Sequence, residues 1–200
     1  MKTISLAASA AALWVSLLAI PPAALAAPTN ATVGGKTSVE LLSSFLSALE
    51  SLGVTPGAVG PGRIHKSDGT VWASFPITTG EVDLGSTAGE IDHAGGLSLS
   101  AGSTKVDLTA FAIDISKSQP VITGLVEVNG SFVGRLPLFD LSLAGARVKL
   151  DDDWLKISDV TLTLDREAAS ALSGVFKTTV PVVPVGTAQV SAILCDAEYP

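Results

Sequence analysis

The chain has 200 residues, with 12 Lys and Arg against 19 Asp and Glu and a net charge of -7. That balance excludes nucleic acid and anionic membrane surfaces as partners, since both require clustered basic side chains. Charged residues are only 16% and hydrophobic residues 47%, a composition that suits a folded, β-rich domain better than an acidic disordered one.

Residues 1–26 read as a secretory signal. Lys2 gives a positive start and an apolar run follows from Ile4 to Ile20. Pro21 and Pro22 break the run, and Ala24-Leu25-Ala26 has the A-x-A form of a cleavage site. The run is short for a spanning helix, which needs about 20 apolar residues. The last residues, Leu194–Pro200, are not a hydrophobic tail. The expectation is an exported chain (extracellular, cell-surface or periplasmic) with no membrane span after cleavage. The remainder suits one domain, assigned to residues 36–196 behind a flexible polar leader at 27–35. Cys195 is the sole cysteine, so no internal disulfide forms. It reads as a small apolar residue of the last strand.

In chain order, Thr37–Leu52 is predicted to be a helix. Thr37 and Glu40 have capping-box spacing, Leu41, Leu42, Phe45, Leu49 and Leu52 recur with helical period, and Gly53 suits the end. Val54–Gly69 is dense in Gly and Pro and reads as a loop that exposes His65. Short strands follow. Val71–Thr78 alternates, Glu81–Leu84 is brief, and Leu97–Ser100 and Lys105–Ser116 flank a glycine turn. The last of these changes phase, with Val106 and Leu108 on one parity and Phe111, Ile113 and Ile115 on the other. A β-bulge is therefore predicted near Thr109–Ala110. Asn129-Gly130 between Val121–Val128 and Ser131–Leu136 predicts a two-residue hairpin. Strands also fit Phe139–Leu143, Arg147–Leu150, Trp154–Ile157 and Val160–Leu164, with Asp151–Asp153 as a solvated hairpin tip. Asp165 reads as the N-cap of a second short helix near 165–176, and Ala188–Leu194 closes the chain as a strand. The predicted fold is mainly β, a two-sheet antiparallel β-sandwich with an N-terminal helix and a short helix near 165–176.

Few residues fit catalysis. A nucleophile triad needs an imidazole, and only His65 and His93 supply one; no G-x-S-x-G elbow is present. Asp92 and His93 are adjacent, which on a strand turns them to opposite faces. No Cys/His spacing suits zinc, and Asp151–Asp153 lacks the Gly and Glu of a calcium loop. No catalytic and no metal-binding residue is assigned. His93, beside Ala94-Gly95-Gly96, is the one candidate ligand-binding residue; the plainer reading is a turn histidine that bonds a backbone group.

Three runs carry a resemblance: F-P-I-T-x-G-x-x-D at Phe75–Asp83, H-x-G-G-L-x-L at His93–Leu99, and D-V-T-L-T-L-x-x-E-A-A at Asp159–Ala169. With Phe75–Ile115, Val121–Leu143 and Val160–Phe176 around them, they resemble the HtaA-like domain family. The resemblance implies an exported bacterial β-sandwich with a helix. Some members bind haem at the cell surface, through a tyrosine from the N-terminal helical region and a nearby histidine. His93 sits where that histidine would be. Thr37–Leu52 contains no tyrosine, and the chain's one tyrosine is Tyr199. The leading expectation is thus a secreted or cell-surface, non-enzymatic β-sandwich module. Its role is ligand-binding or structural, toward an unknown small ligand or surface partner. The alternative is haem as a cofactor held by His93, and a secreted hydrolase ranks third.

Overall fold

The computed structural model describes residues 29–86 and 88–195. The expected signal segment, its cleavage site and Tyr199 lie outside the described residues. The elements in chain order are β1 (Asn30–Leu41), α1 (Ser43–Ser51), β2 (Thr55–Val59), β3 (Arg63–Ser67), β4 (Thr70–Val82), β5 (Gly89–His93) and β6 (Gly96–Ala101). They continue with β7 (Thr104–Asp114), β8 (Val121–Val128), β9 (Ser131–Ser142), β10 (Arg147–Asp151), β11 (Trp154–Leu164), α2 (Arg166–Phe176) and β12 (Pro184–Cys195).

The strands do not form two stacked sheets. Strands β7, β5, β4, β1, β12, β11, β9 and β8 pair in that order, and β8 returns to β7, closing an antiparallel ring of eight. The closing pairs run from Val106 opposite Val128 to Asp114 opposite Val121. The expected sandwich is corrected to a barrel with short extra strands: β2 and β6 extend from β7, β3 lies beside β4, and β10 beside β11. Mainly-β character holds. Alternation alone misses the difference, because strands of a sandwich and of a barrel both turn one face inward and one outward.

The bulge in β7 makes the closure possible. One extra residue lies between Thr109 and Ala112 against β8, and Ala110 takes φ 49°. The bend lets one side of β7 serve β6 with its first half and β5 with its second. The Asn129-Gly130 hairpin forms as predicted, with Val128 opposite Ser131 and φ of 51° and 77° at the two turn residues.

The N-terminal part differs from expectation. Asn30–Gly35 belongs to β1 rather than to a leader, and Thr37–Leu41 continues that strand rather than starting a helix. Thr37 faces Phe75 on β4 and Val190 on β12. Two ladders satisfy every backbone group there, whereas a capping box satisfies two. Thr37, Val39 and Leu41 all point inward with strand period. The helix is confined to α1, whose start at Leu42 has no side-chain cap. The expected loop at Val54–Gly69 holds β2 and β3. Pro56 is tolerated because β2 is an edge strand with a free N–H side. Cys195 is exposed at the end of β12, out of phase with buried Val190, Ala192 and Leu194, which corrects its expected burial.

Inside the ring the side chains are apolar; Ile91, Val106 and Leu155 are 1% exposed. Helices α1 and α2 close one end, where Phe45, Leu49, Leu164 and Leu172 meet. The outward positions of β1 include Lys36, Ser38 and Glu40. The apolar interior contrasts with the polar lumen of a lipid-embedded barrel. No helix among the described residues is long and apolar enough to cross a membrane.

Asp165 caps α2 as predicted: its carboxylate accepts from the backbone N–H of Glu167 (2.7 Å) and Ala168 (3.0 Å). Asp165→Ala is expected to cost about 1 kcal/mol. In a chain of this size that lowers Tm by roughly 2–4 °C, readable in a thermal melt followed by circular dichroism.

Candidate functional site

His93 is the last residue of β5 and shares the inward parity of Ile91 two residues before it. It is not at a mouth or an exposed turn. Its ring lies within the barrel at 4% exposure, beside Thr37 of β1 at 3%. Both ring nitrogens are engaged. Nδ1 lies 3.2 Å from the Phe111 carbonyl oxygen, and Nε2 lies 2.7 Å from the Thr37 hydroxyl. A carbonyl only accepts, so Nδ1 carries the proton and donates. The neutral ring then accepts at Nε2 from the Thr37 O–H. Burial holds the His93 pKa below its usual value, the Phe111 carbonyl and the charge of Asp92 offsetting this only in part.

A hydroxyl 2.7 Å from an imidazole nitrogen is the beginning of a nucleophile–base pair. Here the rest is missing. A backbone carbonyl stands where a triad has its carboxylate, and Asp92 points to the other face of the strand. The pair faces a cavity of about 30 Å³ lined by Val39, Phe75, Phe111 and other apolar side chains. That holds at most two waters, and the polar side-chain atoms that would anchor them are already engaged, with each other and with the Phe111 carbonyl. Two further apolar cavities, of about 50 and 90 Å³, lie under α1 and α2. Pockets for drug-sized ligands span about 300–1,000 Å³, so each of these interior spaces is several-fold too small for a macrocycle.

The other residues weighed from sequence are dispersed. His65 is exposed on β3, opposite Trp72. Asp83 is committed to its own turn, accepting from the Gly85 N–H (2.8 Å) and the Ser86 hydroxyl (2.6 Å), which together hold its carboxyl below the usual range. Asp151–Asp153 is an exposed hairpin tip. Asp151 there pairs with Lys156 (2.8 Å) and Lys149 (3.7 Å), and these ammoniums lower its carboxyl. No group of three or more His, Cys, Asp or Glu able to hold a metal occurs among the described residues. Thr37 is the partner that sequence reading missed. Its signal was the period-two run Thr37, Val39, Leu41, which the overlapping helical pattern of Leu41, Leu42, Phe45 and Leu49 obscured.

No protein-family model and no curated protein matches the sequence. Solved structures do match the fold. The C-terminal domain of HtaA from Corynebacterium glutamicum aligns with a TM-score of 0.59 at 13% identity, over 83% of this chain and 99% of that domain. The heme binding protein HtaB from the same organism aligns with a TM-score of 0.51 at 10% identity, over 84% of this chain and 96% of HtaB. The chain therefore has an HtaA-like fold, as the sequence resemblance implied.

Proposed function

We propose that this chain, an HtaA-like barrel, is an exported, non-enzymatic module that acts through its outer surface, as a binding or structural unit. The observation that carries this reading is the state of His93. Its two nitrogens are bonded, its ring is neutral and buried, and the cavity beside it is too small for a cofactor. The histidine then serves the fold, by joining β5 to β1 and to the bulged β7 across the core.

The second reading is haem binding, supported by the fold shared with HtaA and HtaB over nearly their full aligned lengths. The described residues include no tyrosine. His93 is then the axial ligand in this reading, and it must leave Thr37 and Phe111 to reach iron. Haemin titration of the purified chain separates the two. On the first reading the Soret band of haemin stays that of the free compound, with wild type and His93→Ala superimposable. A Soret shift present in the wild type and lost in His93→Ala, with the variant still folded by circular dichroism, replaces the first reading with the second.

A further inference from the structure

Strand register places a row of basic side chains on the outer face of the barrel. Lys36 of β1 is opposite Ser191 of β12, Ser191 is opposite Lys156 of β11, and Lys156 is opposite Lys149 of β10. Cross-strand partners point the same way and stand about 5 Å apart. The stems of Lys36 and Lys156 thus flank the Ser191 hydroxyl, roughly 10 Å from each other. Trp154 lies two residues from Lys156 on the same face, 40% exposed, with Ile193 as its neighbour on β12. Gly35, Lys36, Trp154, Lys156 and Ser191 enclose an open basin of about 440 Å³.

Gly35 contributes backbone to the lining of the basin. Between Thr32 and Gly34 the ladder of β1 with β12 slips, and Gly35 follows at φ 111°. A Cβ on Gly35 would stand 2.0 Å from the Ser191 carbonyl oxygen, so only glycine lets the backbones of β1 and β12 approach this closely. The charges are disposed toward an incoming group. Among the described residues Lys36 makes no ion pair and the Ser191 hydroxyl no hydrogen bond. Lys156 is held by Asp151 at 2.8 Å, and the same carboxylate lies 3.7 Å from Lys149. Like charges directly opposed on neighbouring strands repel, and Asp151 offsets this for only one side of the row.

The geometry points to a binding site for an acidic saccharide, a pyranose that carries a carboxylate. The carboxylate lies over Ser191 between the ammoniums of Lys36 and Lys156, and a C–H face of the ring lies on the indole of Trp154. A shallow basin on a barrel wall suits a unit within an extended chain better than an enclosed small molecule. One carboxylate matches the one lysine pair that flanks Ser191, and the exposed indole offers the ring a stacking face. This inference rests on the proposed outer-surface role and gives it a ligand class.

Calorimetry of the full chain at low salt tests it with trigalacturonate, neutral maltotriose and a short oligothymidylate. Saturable binding of trigalacturonate alone is expected. Lys36→Gln and Lys156→Gln should each weaken it about five-fold, the scale of an exposed ion pair, and Trp154→Ala should abolish it. Asp151→Asn should tighten it, since that frees Lys156. The site assignment is overturned by absent binding, by equal affinity for maltotriose, by equal or tighter oligothymidylate binding, or by unchanged affinity in both lysine variants. Haemin on the same sample reads the outer-surface proposal separately, so one idea can fail while the other stands.

Discussion

Phe111→Ala is expected to be the most damaging single substitution considered for this protein, at about 3–5 kcal/mol. Phe111 is 5% exposed and packs edge-on against Phe75, ring centres 5.0 Å apart at 84°. Its ring also covers Gly124 of β8, where an added Cβ would lie 3.0 Å from the Phe111 Cδ1 atom. Gly124, which has no side chain, cannot fill the space that the lost ring leaves. The surrounding strands are each hydrogen-bonded on both sides within a closed ring, so the walls have little freedom to collapse inward. Most of the cavity penalty therefore persists. With roughly 2–4 °C per kcal/mol for a chain of this size, Tm should fall by about 10 °C. Phe132, 64% exposed on β9, is the control; its alanine variant should stay within about 0.5 kcal/mol. A drop for Phe111→Ala no larger than the control's would mean that the interior is not a packed core, and the structural reading of His93 would fall with it.

The second large effect is a loss of stability on acidification that depends on His93. Burial lowers its folded pKa beneath the ordinary value of about 6.5. The unfolded chain therefore takes up this proton first as pH falls. Stability is complete above about pH 6.5 and declines below it, by up to about 1.4 kcal/mol per pH unit, until the folded pKa is passed. The loss is enforced by the surroundings. No carboxylate lines the cavity beside the ring; Thr37, Phe75, Phe111 and Ile113 flank it, and Phe139 and Leu162 face it from across the barrel. The nearest acid, Asp92, lies on the outer side of the same strand. Urea midpoints at pH 7.5, 6 and 5 should diverge between wild type and His93→Gln, whose amide can still donate to Phe111 and accept from Thr37 but does not titrate. All other titratable groups are shared by the two proteins. Parallel pH profiles would show that the ring is not held neutral by burial.

Local chemistry made much of this fold legible. The phase change between Leu108 and Phe111 located the bulge, Asn129-Gly130 located a hairpin, and Asp165 located a helix start. Each is decided by a few neighbouring residues. Closure was not legible, because the pairing of β1 with β12 depends on register between segments about 150 residues apart, to which periodicity is blind. Thr37 shows the same limit at one residue. Its spacing to Glu40 is right for a capping box, yet two flanking strands offer more hydrogen bonds than a helical turn. His93 was legible in part. Its neighbours Gly95 and Gly96 suggested a turn, but its parity with Ile91 already placed it on the buried face. Its partners Thr37 and Phe111 come from 56 and 18 residues away, respectively, and only the folded ring brings them together.

Strand β1 lies between β4 and β12, with Ala31 facing Glu81 on one side and Cys195 on the other. That arrangement ties the barrel to an order in time. While the chain emerges, β1 and β4 can zip early, but the other edge of β1 stays bare until β12 arrives at the far end. Without β12, β1 and β11 each present an unpaired strand border, the kind of edge through which β-rich chains stick to one another. Pairing of β1 with β12 joins segments about 150 residues apart, a sequence separation that slows folding.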